Sequence, residues 1–532
     1  MNAPTVAAAA QGAGGAGPVQ PAFGPRMMAG LGGILLAAMV AGLNNRIPGL
    51  VLADIEGALG VGQDDGSWLN TAYFAGELAV MPFATWFAVT FSLRRAHGWA
   101  LGVAVALALL LPFIRSLPLL ITLRAVQGLF AGALIPMLMM AALRFLPPPV
   151  RLYGLALYAM TATFAPNVAL WLSAVWVDRM EDWRWAYWHI VPFGLAAMAL
   201  VQWGIPQLPL ALGRIGQANW LGMALGVPGL ALLVVGLDQG VRLEWFSSPL
   251  IRVALGSSFV LIVLWLVSEW SHPAPFMRLQ LLGRRNLGMG FTIFFLLLIA
   301  MSSAVALPAS VLGRIQGFRM EQIAPIGLAI ALPQLVLGPL VAMLLYRSWV
   351  DARHLFALGL LLIATACWLG AGVTSEWMTH QFLWATALQA VGQPLAVISM
   401  LFLGTSVVAP MEGPYVAGIV NTLRALGTVF GGAMIGQMMA TRSHFHAEML
   451  LDQAGRRMSQ LPAGQGDWPS LGAVVSQQAA VLAAADVYRA LGLLALLLIP
   501  FVLRLQHIPA PRLTQPPPVM PPPGMQPSLP IS

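Results

Sequence analysis

Lysine is absent from the 532 residues, so all 27 basic side chains are arginine. Cysteine is nearly absent as well. Cys367 stands alone in an apolar run, which excludes an intramolecular disulfide and a cysteine-based metal cluster. Charge of either sign is scarce: 9% of residues are charged against 59% hydrophobic, and mean hydropathy is +0.80. A soluble domain of this length cannot hide that much apolar side chain, so the chain is an all-α polytopic membrane protein. Nucleic-acid binding is excluded too. The net charge is +8, but the arginines are scattered through loops rather than gathered on one face.

What is present is apolar length. Fourteen apolar segments lie near 29–57, 68–91, 97–114, 118–143, 152–177, 187–206, 218–237, 249–269, 286–312, 322–346, 353–374, 381–408, 415–441 and 484–505. Crossing a bilayer takes about 20 residues, so each is read as a transmembrane helix. An even number puts both termini on one side. The loops of that side carry Arg94, Arg95, Arg144, Arg151, Arg214, Arg278, Arg284, Arg285, Arg347 and Arg353, and the opposite short loops are acidic. The positive-inside rule then places both termini in the cytoplasm. Residues 1–26 (Ala, Gly and Pro) and the Pro-rich 508–532 are read as unstructured cytoplasmic tails. Residues 442–483 are read as one long periplasmic loop.

The stretch 119–143, LLITLRAVQGLFAGALIPMLMMAAL, organises the rest. Arg124 is expensive in hydrocarbon and is kept only where it faces a bundle interior or a wet cavity. Gly128 and Gly132, one turn apart, let a neighbouring helix approach closely. A faint repeat relates "LRAVQGLFAGALIPM" to "LQAVGQPLAVISM" in segment 12, with Gln389 where Arg124 stands. Two six-helix halves related by a repeat are a transporter architecture. The halves are assigned as 27–206 and 276–507, with two additional helices in 207–275.

Glu77, in "NTAYFAGELAVMPFATW", is the acid read as lying well inside a span, and a carboxylate there is suited to loading and unloading a proton. "GLNNRIPGL" puts Asn44, Asn45 and Arg46 into helix 1 just before Pro48. Arg46 either pairs with Glu77 or binds an anionic group of the substrate. Gln127, Asn167 and Gln389 are uncharged polar residues within spans and are candidates to line a binding cavity. His444 and His446, with acids following, are read as solvated loop rather than a metal site.

"LRAVQGLFAGA" is similar to the helix 4 motif of the major facilitator superfamily of secondary transporters. "WRWAYWHIVPFG" (183–194), "LDQGVRLEWFSS" (237–248), "NTLRALGTVFGGAMIG" (421–436, with Arg424, Gly427 and Gly431) and "QQAAVLAAADVYRALG" resemble its fourteen-helix drug:proton antiporter branch. The resemblance implies the major facilitator fold, with two six-helix halves and two extra central helices. Three departures stand out. The usual Leu-Asp of helix 1 reads Leu43-Asn44, and Asn cannot titrate. The helix 5 Gly-Pro motif reads "APNVALWLSA", keeping Pro166 but not the glycines. The loop after helix 2 keeps only Arg94 and Arg95 of its basic cluster.

The function expected is therefore secondary active transport: proton-coupled efflux of amphipathic or aromatic compounds by alternating access. Glu77 and Arg124 would couple the proton, and Arg46, Asn44, Asn45, Gln127, Asn167 and Gln389 would bind substrate. The alternative on the same fold is an importer or uniporter of an organic anion. An integral-membrane enzyme or sensor is disfavoured, because neither paired catalytic acids nor a sizeable soluble domain is seen. No cofactor or metal is implied. The branch implies a bacterial inner-membrane location and, as partners beside substrate and protons, a periplasmic adaptor and outer-membrane channel.

Overall fold

The computed structural model describes residues 23–458 and 468–511. The tails beyond 22 and 511, and the stretch 459–467, lie outside the described residues. The first half contains α1 (Pro25–Leu50), α2 (Leu52–Leu59), α3 (Gln63–Thr90), α4 (Leu93–Leu110), α5 (Leu117–Gly132), α6 (Leu134–Phe145), α7 (Pro148–Ala174), α8 (Trp185–Trp188) and α9 (Ile190–Gly204). A pair follows, α10 (Trp220–Gly240) and α11 (Pro249–Ser271). The second half contains α12 (Arg285–Met301), α13 (Ala306–Ile315), α14 (Met320–Leu345), α15 (Ala352–Gly370), α16 (Leu383–Thr405), α17 (Gly413–Met458) and α18 (Trp468–Leu503). No strand occurs among the described residues.

Prolines explain where the crossings break. A proline lacks the amide that would bond the carbonyl four residues earlier, so the helix weakens there. Pro136 frees the carbonyl of Gly132, where α5 ends; Pro192 frees that of Trp188, where α8 ends; Pro308 frees that of Ala304, in the gap before α13. Pro48, Pro82, Pro166 and Pro394 are instead carried inside continuous helices.

Thirteen helices among the described residues are long and apolar enough to cross a membrane. The remaining expected segment is the α8–α9 stretch, Trp185 to Gly204, broken at His189. Its span of about 30 Å at 1.5 Å per residue matches the hydrocarbon core. The long loop expected over 442–483 is corrected by the structure: α17 runs on to Met458 and α18 starts at Trp468. The reading failed because the stretch is polar, and polarity marks departure from lipid rather than loss of helix. Ion pairs support the extension. Arg442 reaches Asp486 at 2.6 Å and His446 reaches it at 2.8 Å, joining α17 to α18.

The two halves meet along α7 with α14 and along α3 with α17. The α10–α11 pair does more than connect them. α10 packs on α3 and also on α17, covering that second seam.

Candidate functional site: a cavity between the halves

Glu77 stands at the middle of α3, and small residues bring its backbone hard against α5. A Cβ on Gly132 would lie 2.7 Å from the Glu77 Cα, and one on Gly128 would overlap the Tyr73 carbonyl oxygen. Gly76 returns the fit, because a Cβ there would overlap the Ala125 carbonyl. The close approach read from the Gly128–Gly132 spacing is therefore present, and its partner helix is the one that carries Glu77. Glu77 is 8% exposed, and its carboxylate accepts a hydrogen bond from the Asn45 side-chain amide of α1.

Arg46 follows Asn45 into a cavity of about 630 Å³ between the halves. The Arg46–Glu77 ion pair offered as one alternative does not form within 4 Å; Asn45 holds the carboxylate instead. Asn45, Arg46, Phe74, Pro166 and Asn167 line the cavity from the first half, and Leu298, Met301, Gln393, Thr428 and Ile435 line it from the second. A recess at its base brings Arg46, Glu77 and Arg424 together. Arg424 also ties the halves, donating to the Thr161 hydroxyl at 2.5 Å and the Thr161 carbonyl at 2.6 Å. Pairing a guanidinium with a hydroxyl and a carbonyl leaves its charge in place. Gly427 and Gly431 face Phe295 and Ile299, so α17 lies close on α12.

Four of the candidate polar residues are drawn away from the cavity, three of them together. Arg124 is fully buried; its Nη1 donates to Gln127 Oε1 at 2.5 Å, and its guanidinium lies 4.3 Å from the Tyr73 ring centre and 5.4 Å from that of Tyr187. Two aromatic faces serve this cation in place of an acid. Gln127 donates to the Ala104 carbonyl at 3.3 Å, and Asn44 donates to the Tyr73 hydroxyl at 3.3 Å. These three form a packed cluster behind α3, so Asn44 and Gln127, expected at the substrate, do not line this cavity. Gln389 does not line it either. It donates to Ser303 at 3.1 Å, and Gln393, one turn on, reaches the cavity. Arg94 and Arg95 stand in the first turn of α4, Arg94 donating to Gln202 at 2.7 Å and Arg95 facing the Gln207 amide.

The sequence reading missed two groups around this site. The first is on α10. Thr71 of α3 donates to Asp238, Gln239 donates to Thr71 at 2.5 Å, and Arg242 donates to Gln239 at 2.7 Å and pairs with Asp64 at 3.1 Å. Beyond them Trp245 donates to Gln437 of α17 at 2.6 Å, and Val241 reaches the cavity wall. The signal was the string LDQGVRLEW, but ending segment 7 at 237 left Asp238 outside the span. The second group lies where α7 meets α14. Arg319 pairs with Asp178 at 2.7 Å and Asp54 at 3.4 Å, and Arg179 pairs with Glu321 at 3.0 Å. Asp54, Asp178 and Glu321 belong to the acidic short loops opposite the arginine-rich side.

Among the described residues, no group of three His, Cys, Asp or Glu is placed to hold a metal. The arrangement suits transport chemistry: one carboxylate at the base of a mixed apolar and basic cavity, bordered by helices of both halves.

The sequence model of the Major Facilitator Superfamily matches residues 34–332. Over 350 residues the chain is 28% identical to the probable multidrug resistance protein EmrY of Escherichia coli (strain K12), covering 64% of this chain and 65% of that one, just under two thirds. It is 24% identical over 436 residues to the multidrug export protein EmrB of the same organism, covering 78% and 81%. It is 25% identical over 498 residues to the fatty acid resistance protein FarB of Neisseria gonorrhoeae, covering 88% and 94%. Among solved structures, the human organic anion transporter MFSD10 matches with a TM-score of 0.52 at 15% identity, covering 89% of this chain and all of that one. The proton:xylose symporter XylE matches with a TM-score of 0.54 at 13% identity, covering 91% and 96%. Identities this low speak for the fold alone.

Proposed function

The chain belongs to the Major Facilitator Superfamily, and on that premise we propose that it is a proton-coupled exporter of amphipathic organic compounds. The observation that carries this reading is Glu77. It stands at the base of a cavity between the halves, held by Asn45 and bordered by Arg46 and Arg424. A carboxylate in such a place can take up and lose a proton as the cavity alternates between the two sides of the membrane. The relatives named for multidrug export and fatty acid resistance support outward movement of amphipathic cargo.

In this reading the cavity faces outward. It runs from Arg46 and Thr428 to Arg314, Ser443 and His444, at the end of the bundle away from the start of α1. Cargo leaves by that mouth, and Glu77 takes a proton from the same side. The opposite end is closed by α6, α7 and α17, where Tyr158 donates to Asn421 at 2.9 Å. We place the protein in a bacterial inner membrane with both termini in the cytoplasm, following the arginine bias of the loops. The joined extensions of α17 and α18 then project into the periplasm, where a periplasmic adaptor leading to an outer-membrane channel would meet them. Transport rather than catalysis is the role assigned to the site.

The test is substrate-induced proton movement in inverted vesicles, screened with amphipathic acids and cationic drugs, for wild type and Glu77→Gln. Wild type should move protons with substrate, and Glu77→Gln should bind substrate without moving protons. Normal coupling in Glu77→Gln would overturn the mechanism.

A further inference from the structure

The charges that line the cavity are one-sided. Arg46 enters from α1 and Arg314 from α13, so each half supplies one guanidinium, and His444 stands at the rim. Asp and Glu are absent from the described residues lining the main cavity, and Glu77 reaches only the recess at its base. The arginines differ in what they are doing. Arg424 is committed to Thr161, whereas neither Arg46 nor Arg314 makes a side-chain hydrogen bond or ion pair among the described residues. The other walls are largely apolar, with Leu50, Phe74, Met301 and Ile435 among them.

We infer that the cargo of this cavity is an amphipathic anion, a carboxylate or similar headgroup on an apolar tail, held at Arg46 and passed outward to Arg314. The inference rests on the export reading and adds the sign of the cargo. A guanidinium presents a planar fork of donors that a carboxylate meets in bidentate fashion, and it is less strongly hydrated than an ammonium. Both free forks are reached from one volume, so an anion gains partners at each end of its path. A cationic amphiphile meets the reverse. It is repelled by Arg46 and Arg314, and its one counter-charge, Glu77, lies in the recess together with Arg46 and Arg424. The apolar walls receive the tail without fixing its shape. An inside-negative membrane potential itself pulls such an anion outward, the direction of export.

The experiment uses three probes with one tail and different headgroups: 4-octylbenzoate, 4-octylbenzylamine and 4-octylbenzyl alcohol. Equilibrium binding is measured to the full chain in neutral-lipid nanodiscs. The benzoate should bind at least tenfold tighter than the amine. Arg46→Gln and Arg314→Gln should each weaken the benzoate at least fivefold and leave the alcohol within twofold, while Arg46→Lys recovers part of the loss. Retained binding of the alcohol shows that the variants are folded. Equal or tighter binding of the amine, or benzoate binding unmoved in both Gln variants, overturns the inference and leaves the export reading intact. If none of the three binds while vesicles still move protons with another compound, the anionic assignment falls and the exporter stands. If vesicles respond to no compound at all, the export reading falls with it.

Discussion

Asn45 donates its side-chain amide to the carboxylate of Glu77, so α1 and α3 are joined at the one acid of the recess. A hydrogen bond to a charged group contributes about 1.5–3 kcal/mol, and a buried carboxylate left without it pays a desolvation penalty. Replacing Asn45 with Leu should lower the rate of substrate-driven proton movement about tenfold. Adding Asn45→Leu to Glu77→Gln should cost little more than Glu77→Gln alone, because both remove one interaction. Vesicle proton flux checks the first; because Glu77→Gln moves no protons, thermal midpoints of the two single variants and the double variant check the second. Fully additive losses would mean that Asn45 acts elsewhere.

The approach of α5 to α3 makes a second prediction. At Gly128 a methyl group would overlap the Tyr73 carbonyl oxygen, and backbone cannot yield as a flexible side chain can. Overpacking of this kind typically costs about 1–3 kcal/mol. Gly128→Ala should therefore lower the thermal midpoint of the purified protein, whereas Gly432→Ala, where nothing lies within 4 Å of the new methyl, should not. Melting curves of the two variants in one detergent decide it.

The residues legible from sequence were those whose chemistry is costly in lipid. Glu77 and Arg46 stood out because a charge in a span needs a reason, and both reach the recess. The Gly128–Gly132 spacing also announced a close helix contact, and the contact is there. Side-chain direction was not legible. Asn44, Gln127 and Gln389 have the same composition signal as Asn45, Asn167 and Gln393, yet Asn44, one position from Asn45 on α1, goes into packing, and Gln127 and Gln389 also lie outside the cavity lining. Partners distant in sequence were likewise invisible: Arg124 is met by Tyr73 and Tyr187, and Asp238 by Thr71. The helical course of 442–458 was missed because hydropathy reports the membrane and not the helix.

Acid should weaken the end of the bundle where α15 begins. Asp351 accepts from the Arg353 amide at 2.9 Å and from its guanidinium at 2.7 Å, and Arg353 in turn donates to the Leu505 carbonyl at 3.2 Å after α18. Burial pushes the Asp351 carboxyl up, but the Arg353 bonds and charge outweigh it and hold the group at about 2, below its ordinary 3.8. A carboxyl depressed by folding adds stability above its unfolded value, and that stability drains as pH falls from about 4 through about 2. Asp351→Asn keeps a capping oxygen but removes the charge that pairs with Arg353, and should lower stability at pH 7 by about 1 kcal/mol, the upper end for a partly exposed ion pair. The gap between variant and wild type should close below pH 2. Thermal melts across that range measure it; a gap independent of pH would show that the charge of Asp351 is not what matters.

The α10 helix supplies the last prediction, because it covers a seam that must move if the halves rock against one another. It is fastened to α3 by Thr71 with Asp238, and to α17 by Trp245 with Gln437 at 2.6 Å. A Cβ at Gly436 would lie 3.4 Å from a Val241 methyl, so cysteines at the two positions fall within disulfide range. The native Cys367 is buried and does not compete. Oxidising the Val241→Cys, Gly436→Cys variant should cut transport at least tenfold, and reduction should restore it, with cross-linking verified by free-thiol counting. A tether that merely joins the halves would tolerate the bond. A fully cross-linked protein that still transports would show that α10 and α17 travel together throughout the cycle, and the moving seam would then lie between α10 and α3, where Thr71→Val should speed transport by loosening the hold on Asp238.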